Sequence, residues 1–319
     1  MSNVIAPRAL GSSTLEISGV GIGCNNFSRP TSPTVEQEAS TRVILAALDA
    51  GITFFDTAEL YGSEPGMSEV FMGVALRGRR DEAVIATKWG HTGGAPGGLA
   101  EKGARGSREH IRAAIEGSLR RLQTDHVDLY QLHEPDPSVP IEETLGALAE
   151  LVQEGKVLEI GHTNFTAEQL READAASGKA DSGVRFVSAQ NEYSLLKRDV
   201  ESEILPFCAE NGIGFLPYFP LYNGLLTGKY RKDGGEGRIT RQKPQLLEGV
   251  DWDQLEAYRA ICERLGEPMV QVSIAWLLAQ PGVASVIAGA TTEEQVVQNA
   301  GAGQLALDAE TVTEISELF

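Results

Sequence analysis

Four polar side chains stand at or just after the ends of strand-like apolar runs in the first half of the sequence. Asp56 and Lys88 each close such a run, and His133 closes a third. Tyr61 follows Asp56 by five residues, in the loop that the first of these runs enters. Ionisable groups that meet in this way shift one another's pKa values, as acid–base catalysis requires. The set therefore predicts a catalytic site.

The chemistry that suits these residue types is proton donation by a tyrosine. A tyrosine hydroxyl, with a pKa of about 10, is a poor acid near neutral pH unless a cation stabilises its phenolate. Lys88 can supply that cation to Tyr61, and Asp56 can hold the ammonium charged and in place. His133 can bind the substrate oxygen or relay a proton. This arrangement predicts a general acid aimed at a carbonyl oxygen, and because no side chain can donate a hydride it implies a nicotinamide cofactor.

Each of these residues, taken singly, also has a plainer interpretation. Lys88 and Asp56 could form an ordinary ion pair, and Tyr61 could belong to a turn. His133 precedes Glu134-Pro135-Asp136-Pro137 and could be a metal ligand beside carboxylates. No second histidine follows it at the spacing of a metal site, so metal-dependent hydrolysis is the weaker alternative and no metal is predicted.

The elements that must position these residues alternate between strand and helix. Strand-like runs are predicted at 20–23, 52–56, 83–88, 127–133, 157–162, 187–190, 213–218 and 283–289. Helical periodicity predicts helices between them, among them 35–50, 110–122, 141–153 and 199–210. Gly51, Gly155 and Gly212 mark helix ends. Eight such units predict an α/β fold, a closed (β/α)8 TIM barrel whose C-terminal strand ends converge on one mouth.

The repeat favours a single barrel domain over residues 1–319. Residues 8–17 predict a β-hairpin suited to plug the barrel bottom, and an extra helix is expected at the C-terminus. The rival doubly wound fold needs Gly-x-Gly-x-x-Gly between its first strand and helix, whereas residues 19–23 (GVGIG) have the wrong spacing and lie within the strand. The Gly-rich, basic segment 224–249 departs from the repeat and is typical of a lid or clamp.

Composition restricts the class of partner. The 319 residues carry a formal net charge of −18, which argues against nucleic acid and anionic membranes as partners. No apolar run approaches the roughly 20 residues of a membrane span, and the N-terminus lacks the layout of a signal peptide. Cys24, Cys208 and Cys262 are too few and too scattered for a disulfide framework. We therefore predict a cytoplasmic protein whose partner is a small molecule.

The motifs, in their order, resemble those of the aldo-keto reductase superfamily, in particular the branch that includes potassium-channel beta subunits. Residues 56–62 (DTAELYG), 87–90 (TKWG) and 131–136 (QLHEPD) are similar to the family's segments after its second, third and fourth strands. The resemblance implies reversible, NAD(P)H-dependent reduction of an aldehyde or ketone. It implies Tyr61 as the proton donor and Lys88 as the group that lowers its pKa. Asp56 would support Lys88, and His133 would orient the carbonyl.

The later motifs resemble the family's cofactor-binding segments. Residues 161–165 (GHTNF) carry Thr163 where the family has serine, and residues 218–221 (YFPL) carry Phe219 where it has serine. Residues 224–230 (GLLTGKY) resemble a pyrophosphate clamp, and residues 289–295 (GATTEEQ) resemble the adenosine-binding end. Tyr218 would stack on the nicotinamide ring, and Thr163, Asn164 and Gln190 would bind its carboxamide. The implied cofactor-binding residues are Gly23, Cys24, Asp56, Thr163, Asn164, Gln190, Tyr218, Phe219, Pro220, Leu221, Gly224, Lys229, Arg238, Gly289, Thr291, Gln295, Gln298 and Asn299.

The resemblance implies NADPH as cofactor, with NADH still usable. The sequence holds no lysine or arginine in or after the adenosine motif, and Glu293 and Glu294 lie beside the position implied for the 2′-phosphate. Thr291 and Thr292 offer hydroxyls and backbone N–H groups at a helix start, although they also suit a plain N-cap. Arg238 is the best candidate for the missing cation. We therefore predict a modest preference for NADPH.

Substrate identity is left open by the sequence. Candidate pocket residues near predicted strand ends are Asn25, Phe27, Trp89, His91, Tyr222 and Asn223. Phe27 and Trp89 suit the core as well as a substrate wall. A function of a different class is a nicotinamide-binding regulatory subunit with incidental turnover, and the four polar residues are compatible with both.

Overall fold

The computed structural model describes residues 5–177 and 183–319. Its strands are β1 Pro7–Ala9, β2 Glu16–Ser18, β3 Val20–Gly23, β4 Phe54–Asp56, β5 Val84–Trp89, β6 Val127–Leu132, β7 Val157–Thr163, β8 Phe186–Glu192, β9 Gly214–Tyr218 and β10 Val286–Gly289. Its α-helices are α1 Gln37–Asp49, α2 Met67–Ala75, α3 Arg108–Leu122, α4 Ile141–Gln153, α5 Ala167–Ser177, α6 Ile204–Glu210, α7 Arg238–Gln242, α8 Trp252–Leu265, α9 Met269–Leu278, α10 Glu293–Ala302 and α11 Ala309–Leu318.

Strands β3 to β10 form one parallel sheet that curls into a barrel. Their order is β10-β3-β4-β5-β6-β7-β8-β9, so each strand from β3 to β8 pairs with the next along the chain. The barrel closes where the Phe215 N–H donates to Gly282 O at 2.8 Å and the Ala284 N–H donates to Phe215 O at 2.9 Å. Each of the eight predicted runs overlaps one of these strands, and β5, β7 and β8 extend one or two residues beyond the predicted bounds. The predicted (β/α)8 barrel is confirmed.

The hairpin β1–β2 fills the N-terminal end of the barrel, as predicted. Leu10 and Ile17 are fully buried in the apolar cluster inside the barrel. The barrel wall contributes Phe54, Ala86, Leu129, Val187, Leu216, Ala284 and Ile287 to that cluster. Gly11 takes a φ of +60°, and a Cβ there would lie 2.5 Å from Gly212 O, so the hairpin turn requires glycine. A second, larger core lies between the outer face of the barrel and the helices.

The helices agree with the predictions except at one position. The predicted helix over 199–210 is divided into a short 3-10 helix, Asp199–Ser202, and α6. Pro206 explains the break, because it has no N–H to donate to the carbonyl of Ser202 and its ring would clash with that carbonyl in a continuous helix. The predicted helix ends are confirmed by left-handed glycines, with φ of 82° at Gly51, 72° at Gly155 and 66° at Gly212. The expected C-terminal helix is α11.

The Gly-rich segment is folded into short helical pieces beside the mouth of the barrel. It consists of a 3-10 stretch, Tyr222–Thr227, then α7, and then a second 3-10 stretch, Pro244–Leu247. Phe219 and Asn223 have φ of 51° and 57°, a region that side chains other than glycine seldom adopt. Such backbone strain concentrates at functional sites. Across residues 5–177 and 183–319, no helix combines the length and the apolar character needed to cross a bilayer.

Candidate active site

Asp56 and Lys88 form a buried ion pair at the C-terminal ends of neighbouring strands. Asp56 ends β4, and Lys88 is the next-to-last residue of β5. The Lys88 ammonium donates to Asp56 Oδ2 at 2.6 Å and to the carbonyl of Thr57 at 2.8 Å, and the side chain is almost fully buried. Burial lowers the pKa of Lys88, but the charges of Asp56 and Tyr61 outweigh it, and the pKa stays above its ordinary value. Lys88 therefore carries a proton throughout the physiological range.

Two amides hold the other oxygen of Asp56. Gln190 donates to Asp56 Oδ1 at 2.9 Å, and Gln131 donates to the same oxygen at 3.2 Å. Both glutamines are buried, on β8 and β6. Gln131 was not singled out by the sequence, where it reads as one polar residue inside an apolar strand. These donors fix the carboxylate, and through it the Lys88 ammonium.

Tyr61 lies above this pair, in the loop between β4 and α2. Lys88 Nζ lies 5.3 Å from the centroid of the Tyr61 ring, and the His133 ring meets it edge-on at a centroid distance of 5.9 Å. Burial of the hydroxyl raises the pKa of Tyr61, whereas the Lys88 charge and a hydrogen bond with Lys88 lower it. Burial prevails, so the net pKa is raised rather than lowered. Tyr61 thus holds its proton at neutral pH, and Lys88 stands where it stabilises a phenolate.

His133 is a neutral histidine at the end of β6. Its backbone N–H donates to Trp89 O at 2.8 Å, and its carbonyl accepts from the hydroxyl of Thr163 and from Asn164 Nδ2. Burial lowers the pKa of His133 well below its ordinary value, and the charges of Lys88 and His91 lower it further. Its buried Nδ1 makes no hydrogen bond to the described residues. The uncharged ring lies against Tyr61 and lines the cavity described below.

His91 and Glu134 lie further out, beside His133. The rings of His91 and His133 are 4.7 Å apart, and His91 Nε2 lies 3.3 Å from Glu134 Oε1. Asp136 instead accepts hydrogen bonds from Gly106 N–H and from Ser138, so it does not join His133. Within the described ranges, no group of three or more histidine, cysteine or acidic side chains is arranged to hold a metal ion.

A cavity of about 1300 Å³ runs from these residues across the mouth of the barrel. Among the candidate catalytic residues, Asp56, Tyr61 and His133 line it, whereas Lys88 lies beneath. Its wall includes seventeen of the residues implied for cofactor binding, all of those whose side chains the structure describes. Asn25, His91 and Asn223 of the substrate-pocket candidates also line it. The cavity brings together positions from most of the barrel strands.

Three of the candidate pocket residues do not line the cavity. Phe27 and Trp89 are fully buried in the core, where Trp89 stacks on Tyr130 and donates its indole N–H to Arg105 O at 3.0 Å. Tyr222 packs partly against the same core. The substrate-wall interpretation is therefore wrong for Phe27 and Trp89 and has no support for Tyr222. The sequence places all three beside the mouth, but it does not show the direction of their rings.

Cations and a helix start surround the far part of the cavity. Lys229 and Arg241 line it, and α10 begins there, with Thr292 accepting a hydrogen bond from the Gln295 N–H as its N-cap. Arg241 was missed by the sequence analysis. Arg238 is the first residue of α7, but its side chain lies outside the described part of the structure. Glu293 and Glu294 are exposed and do not line the cavity, so the N-cap interpretation is confirmed and their charges face solvent.

Tyr218 and Asn164 face each other across the cavity wall. The Tyr218 hydroxyl donates to Asn164 Oδ1 at 2.8 Å, and Asn164 takes a left-handed φ of 62°. Its backbone N–H donates to Gln190 O at 3.0 Å. The strained residue thus presents its amide to Tyr218 and to the His133 carbonyl. These contacts fix the orientation of an aromatic ring at the cavity surface.

The cavity suits a nicotinamide dinucleotide. Its volume of about 1300 Å³ exceeds the roughly 300–1,000 Å³ of pockets for drug-sized ligands, which leaves room for a small second ligand. The amides of Asn164 and Gln190 and the ring of Tyr218 stand near the proton donor, where a carboxamide and a planar ring would bind. Lys229, Arg241 and the start of α10 offer cations and backbone N–H groups for phosphates. The side chains of the cavity therefore suit both the nicotinamide and the phosphates of such a cofactor.

A barrel with proton donors at its mouth and room for a dinucleotide beside them is typical of barrel oxidoreductases. Comparison with known proteins gives the same result. The chain belongs to the aldo/keto reductase family, whose model matches residues 19–319. Proteins of this family use nicotinamide cofactors and act on small carbonyl substrates.

Three relatives cover most of the chain. An uncharacterized oxidoreductase, YrpG, from Bacillus subtilis (strain 168) is 37% identical over 97% of this chain and 94% of its own length. A probable aldo-keto reductase 1 from Glycine max is 34% identical over 98% of this chain and 88% of its own. A probable voltage-gated potassium channel subunit beta from Oryza sativa subsp. japonica is 37% identical over 81% of this chain and 79% of its own.

Proposed function

We propose that the protein reduces an aldehyde or ketone reversibly to an alcohol with NADPH, and that Tyr61 is its general acid. The observation that carries this proposal is the buried Lys88–Asp56 pair, at 2.6 Å, directly beneath the Tyr61 ring. A buried lysine requires a partner, and here it also faces the one tyrosine that reaches the pair in the described structure. Residues 1–319 act as one barrel domain in this proposal.

The proposed chemistry divides between three side chains. Tyr61 donates its proton to the carbonyl oxygen, and Lys88 stabilises the phenolate that the proton leaves behind. The neutral ring of His133 donates a hydrogen bond to the same oxygen and holds it toward Tyr61. Bound reduced nicotinamide supplies the hydride. Asp56 keeps Lys88 charged and fixed, which makes it a positioning residue.

Turnover of NADPH against a panel of aldehydes, ketones and sugars tests this proposal. We expect oxidation of NADPH that depends on the carbonyl compound and is unaffected by a metal chelator. Loss of turnover with chelator would instead support a metal-dependent reaction and contradict the proposal.

The three cysteines are unpaired and buried, which agrees with a reducing compartment, and we propose a cytoplasmic location.

A second candidate function is that of a nicotinamide-binding regulatory subunit. The relative named as a probable potassium channel subunit beta, 37% identical, favours it. The two candidates differ in rate: an enzyme turns over at least one carbonyl compound at about 1–10³ per second, whereas a sensor only needs to bind the nucleotide. Tight NADPH binding with negligible turnover over the whole panel would favour the second.

We expect Tyr218→Ala to weaken cofactor binding several-fold or more. The ring, held by Asn164, is proposed to stack on the nicotinamide, and such stacking contributes roughly 0.5–1.5 kcal/mol beyond buried area. Fluorescence titration with NADPH measures the Kd, and Tyr218→Phe is the matched control, because it keeps the ring and loses only the hydroxyl. An unchanged Kd in Tyr218→Ala would contradict the stacking.

We propose that a basic side chain of α7 binds the 2′-phosphate, so that NADPH is preferred modestly and NADH still works. A charge-assisted hydrogen bond contributes roughly 1.5–3 kcal/mol, which gives selectivity of tens-fold rather than thousands-fold. Arg238→Ala should therefore raise the KM for NADPH and leave NADH almost untouched. Arg241→Ala is the parallel test, because Arg241 lines the cavity.

The measurement is kcat/KM for both cofactors in the wild type and each variant. Arg231→Ala is the control, because Arg231 belongs to the same segment but pairs with Glu256 outside the cavity wall. Equal losses for the two cofactors would assign the arginine to the pyrophosphate. A wild type that prefers NADH would contradict the proposed cofactor.

A further inference from the structure

Glu59 is a buried carboxylate in the catalytic loop that the proposed mechanism does not use. It lies between Asp56 and Tyr61 in sequence and has no exposed surface. Its backbone N–H donates to Lys88 O at 3.0 Å, and its Oε1 accepts from the Gly90 N–H at 2.9 Å. These two bonds tie the loop that carries Tyr61 to the strand end that carries Lys88.

Half of the Glu59 carboxylate is left without a partner. Its Oε2 is buried and makes no hydrogen bond to the described residues. The nearby hydroxyl of Tyr130 is also buried and also lacks a hydrogen-bond partner among them. Glu69, buried beside them on α2, differs: it accepts from Thr87 and from Arg121, each at 2.6 Å. A buried acid with both oxygens satisfied is a stable ion, whereas one with a single donor is not. The ionised form of Glu59 is therefore incompletely stabilised by its hydrogen bonds.

The groups that face Glu59 come from three elements. They are Glu69 of α2, Arg121 of α3 and Tyr130 of β6. Burial raises the pKa of Glu59, the Gly90 N–H lowers it, the charge of Glu69 raises it and that of Arg121 lowers it, and together they bring it to about 7. Near neutral pH the bond from Gly90 thus alternates between an ionised and a neutral acceptor. Hydrogen bonds to an ionised acceptor are roughly twice as strong as those to a neutral one.

We propose that Glu59 is a positioning residue of the proposed carbonyl reductase, whose ionised carboxylate holds the Tyr61 loop in register with Lys88. The inference rests on the proposed function and makes its rate depend on pH. Protonation of Glu59 weakens the bond to Gly90 and loosens the alignment of proton donor and cation. The acid limb of the pH profile of kcat therefore belongs to Glu59, because Tyr61 stays protonated and His133 stays neutral at neutral pH.

The main test is the pH dependence of kcat in the wild type and in Glu59→Gln. We expect wild-type kcat to fall about three- to ten-fold as the pH falls through about 7. Glu59→Gln keeps an oxygen that accepts from Gly90 but has no ionisation, so its kcat should be low and constant with pH. Glu59→Ala should lose more activity than Glu59→Gln, since it also loses the acceptor, and the KM for NADPH should change in neither.

Glu69→Gln is a matched variant in the same buried cluster. It removes the like charge that raises the pKa of Glu59 and leaves Arg121 to lower it, so the acid limb should move to lower pH and remain present. A merely structural role for Glu59 predicts no such displacement. An acid limb that persists in Glu59→Gln would belong to another group and would overturn the inference.

Unfolding at several pH values gives a readout that needs no turnover. An acid whose pKa is raised by folding stabilises the native state at low pH and loses that contribution as the pH rises toward 7. The stability of Glu59→Gln relative to the wild type should therefore increase from about pH 5 to pH 8. A constant difference would show that Glu59 does not titrate there and would overturn the inference. Absence of turnover in the wild type would instead remove the proposed function.

Discussion

Tyr61→Phe should lower kcat for carbonyl reduction by about 10²–10⁴-fold, the range associated with general acid catalysis. The variant loses the hydroxyl and retains the ring that lies against His133 and Lys88. Because the lost group acts on the substrate oxygen, the Kd for NADPH should change little. Steady-state kinetics with the best substrate of the panel and a fluorescence titration with NADPH measure the two quantities.

Tyr258→Phe is the control for that experiment. It removes a buried hydroxyl of the same kind, which bonds to Ser273 between α8 and α9 and does not line the cavity, so it should leave kcat within about two-fold. Near-wild-type reduction of aldehydes by Tyr61→Phe would show that another group donates the proton. A fall in cofactor affinity that matches the fall in kcat would show that Tyr61 binds the nucleotide instead.

Lys88→Met should affect both stability and activity. Removal of one member of a buried ion pair leaves the other charge uncompensated and costs roughly 3–5 kcal/mol. Here the two glutamines still hold Asp56 Oδ1, but Oδ2 loses its donor. Denaturant unfolding measures the loss. In the Lys88→Met protein that remains folded, kcat should also fall, as it does in Tyr61→Phe, because the phenolate of Tyr61 loses the cation that stabilises it.

Lys197→Met separates this effect from the loss of any lysine. Lys197 pairs with Asp199 on the surface, where water and salt screen the two charges and the pair contributes little to stability. The stability and kcat of Lys197→Met should therefore remain near those of the wild type. If Lys88→Met were as stable as Lys197→Met, the pair beneath Tyr61 would not be the buried ion pair on which the proposed mechanism depends.

The sequence predicts both the barrel and the charged side chains at the bottom of its site, for related reasons. Strand-like runs at regular spacing fix the order of the strands, and strand ends in such a barrel must meet at one mouth. Asp56 and Lys88 were identified because ionisable side chains are rare at the ends of buried strands. Gln131 was not, since its partner Asp56 lies 75 residues away and an uncharged amide inside a strand has no distinctive pattern.

The direction of side chains outside regular strands was the main feature that the sequence did not supply. Phe27 follows a strand end as the pocket residues do, but its ring is buried in the core. Trp89 is the last residue of β5, and because successive strand residues point to opposite faces, its ring packs in the outer core while Lys88 faces the site. Arg241 lies in a Gly-rich segment, where no periodicity indicates which residues face the cavity. Glu59 reads as a solvated loop acid, and its burial depends on packing between α2, β5 and β6.

The hairpin at the bottom of the barrel has a consequence for how the chain reaches this structure. Arg8 donates to the carbonyls of Leu278 and Val283, partners 270 and 275 positions away, and the turn at Gly11 packs against Gly212. This segment leaves the ribosome long before its partners do, and it therefore finds its place only after residues 278–283 have emerged. Contacts this distant slow folding, because the entropy of closing the loop is lost before any bond is gained. Until then the inside of the barrel is open to water, and newly made chains should depend on chaperones more than the finished protein does.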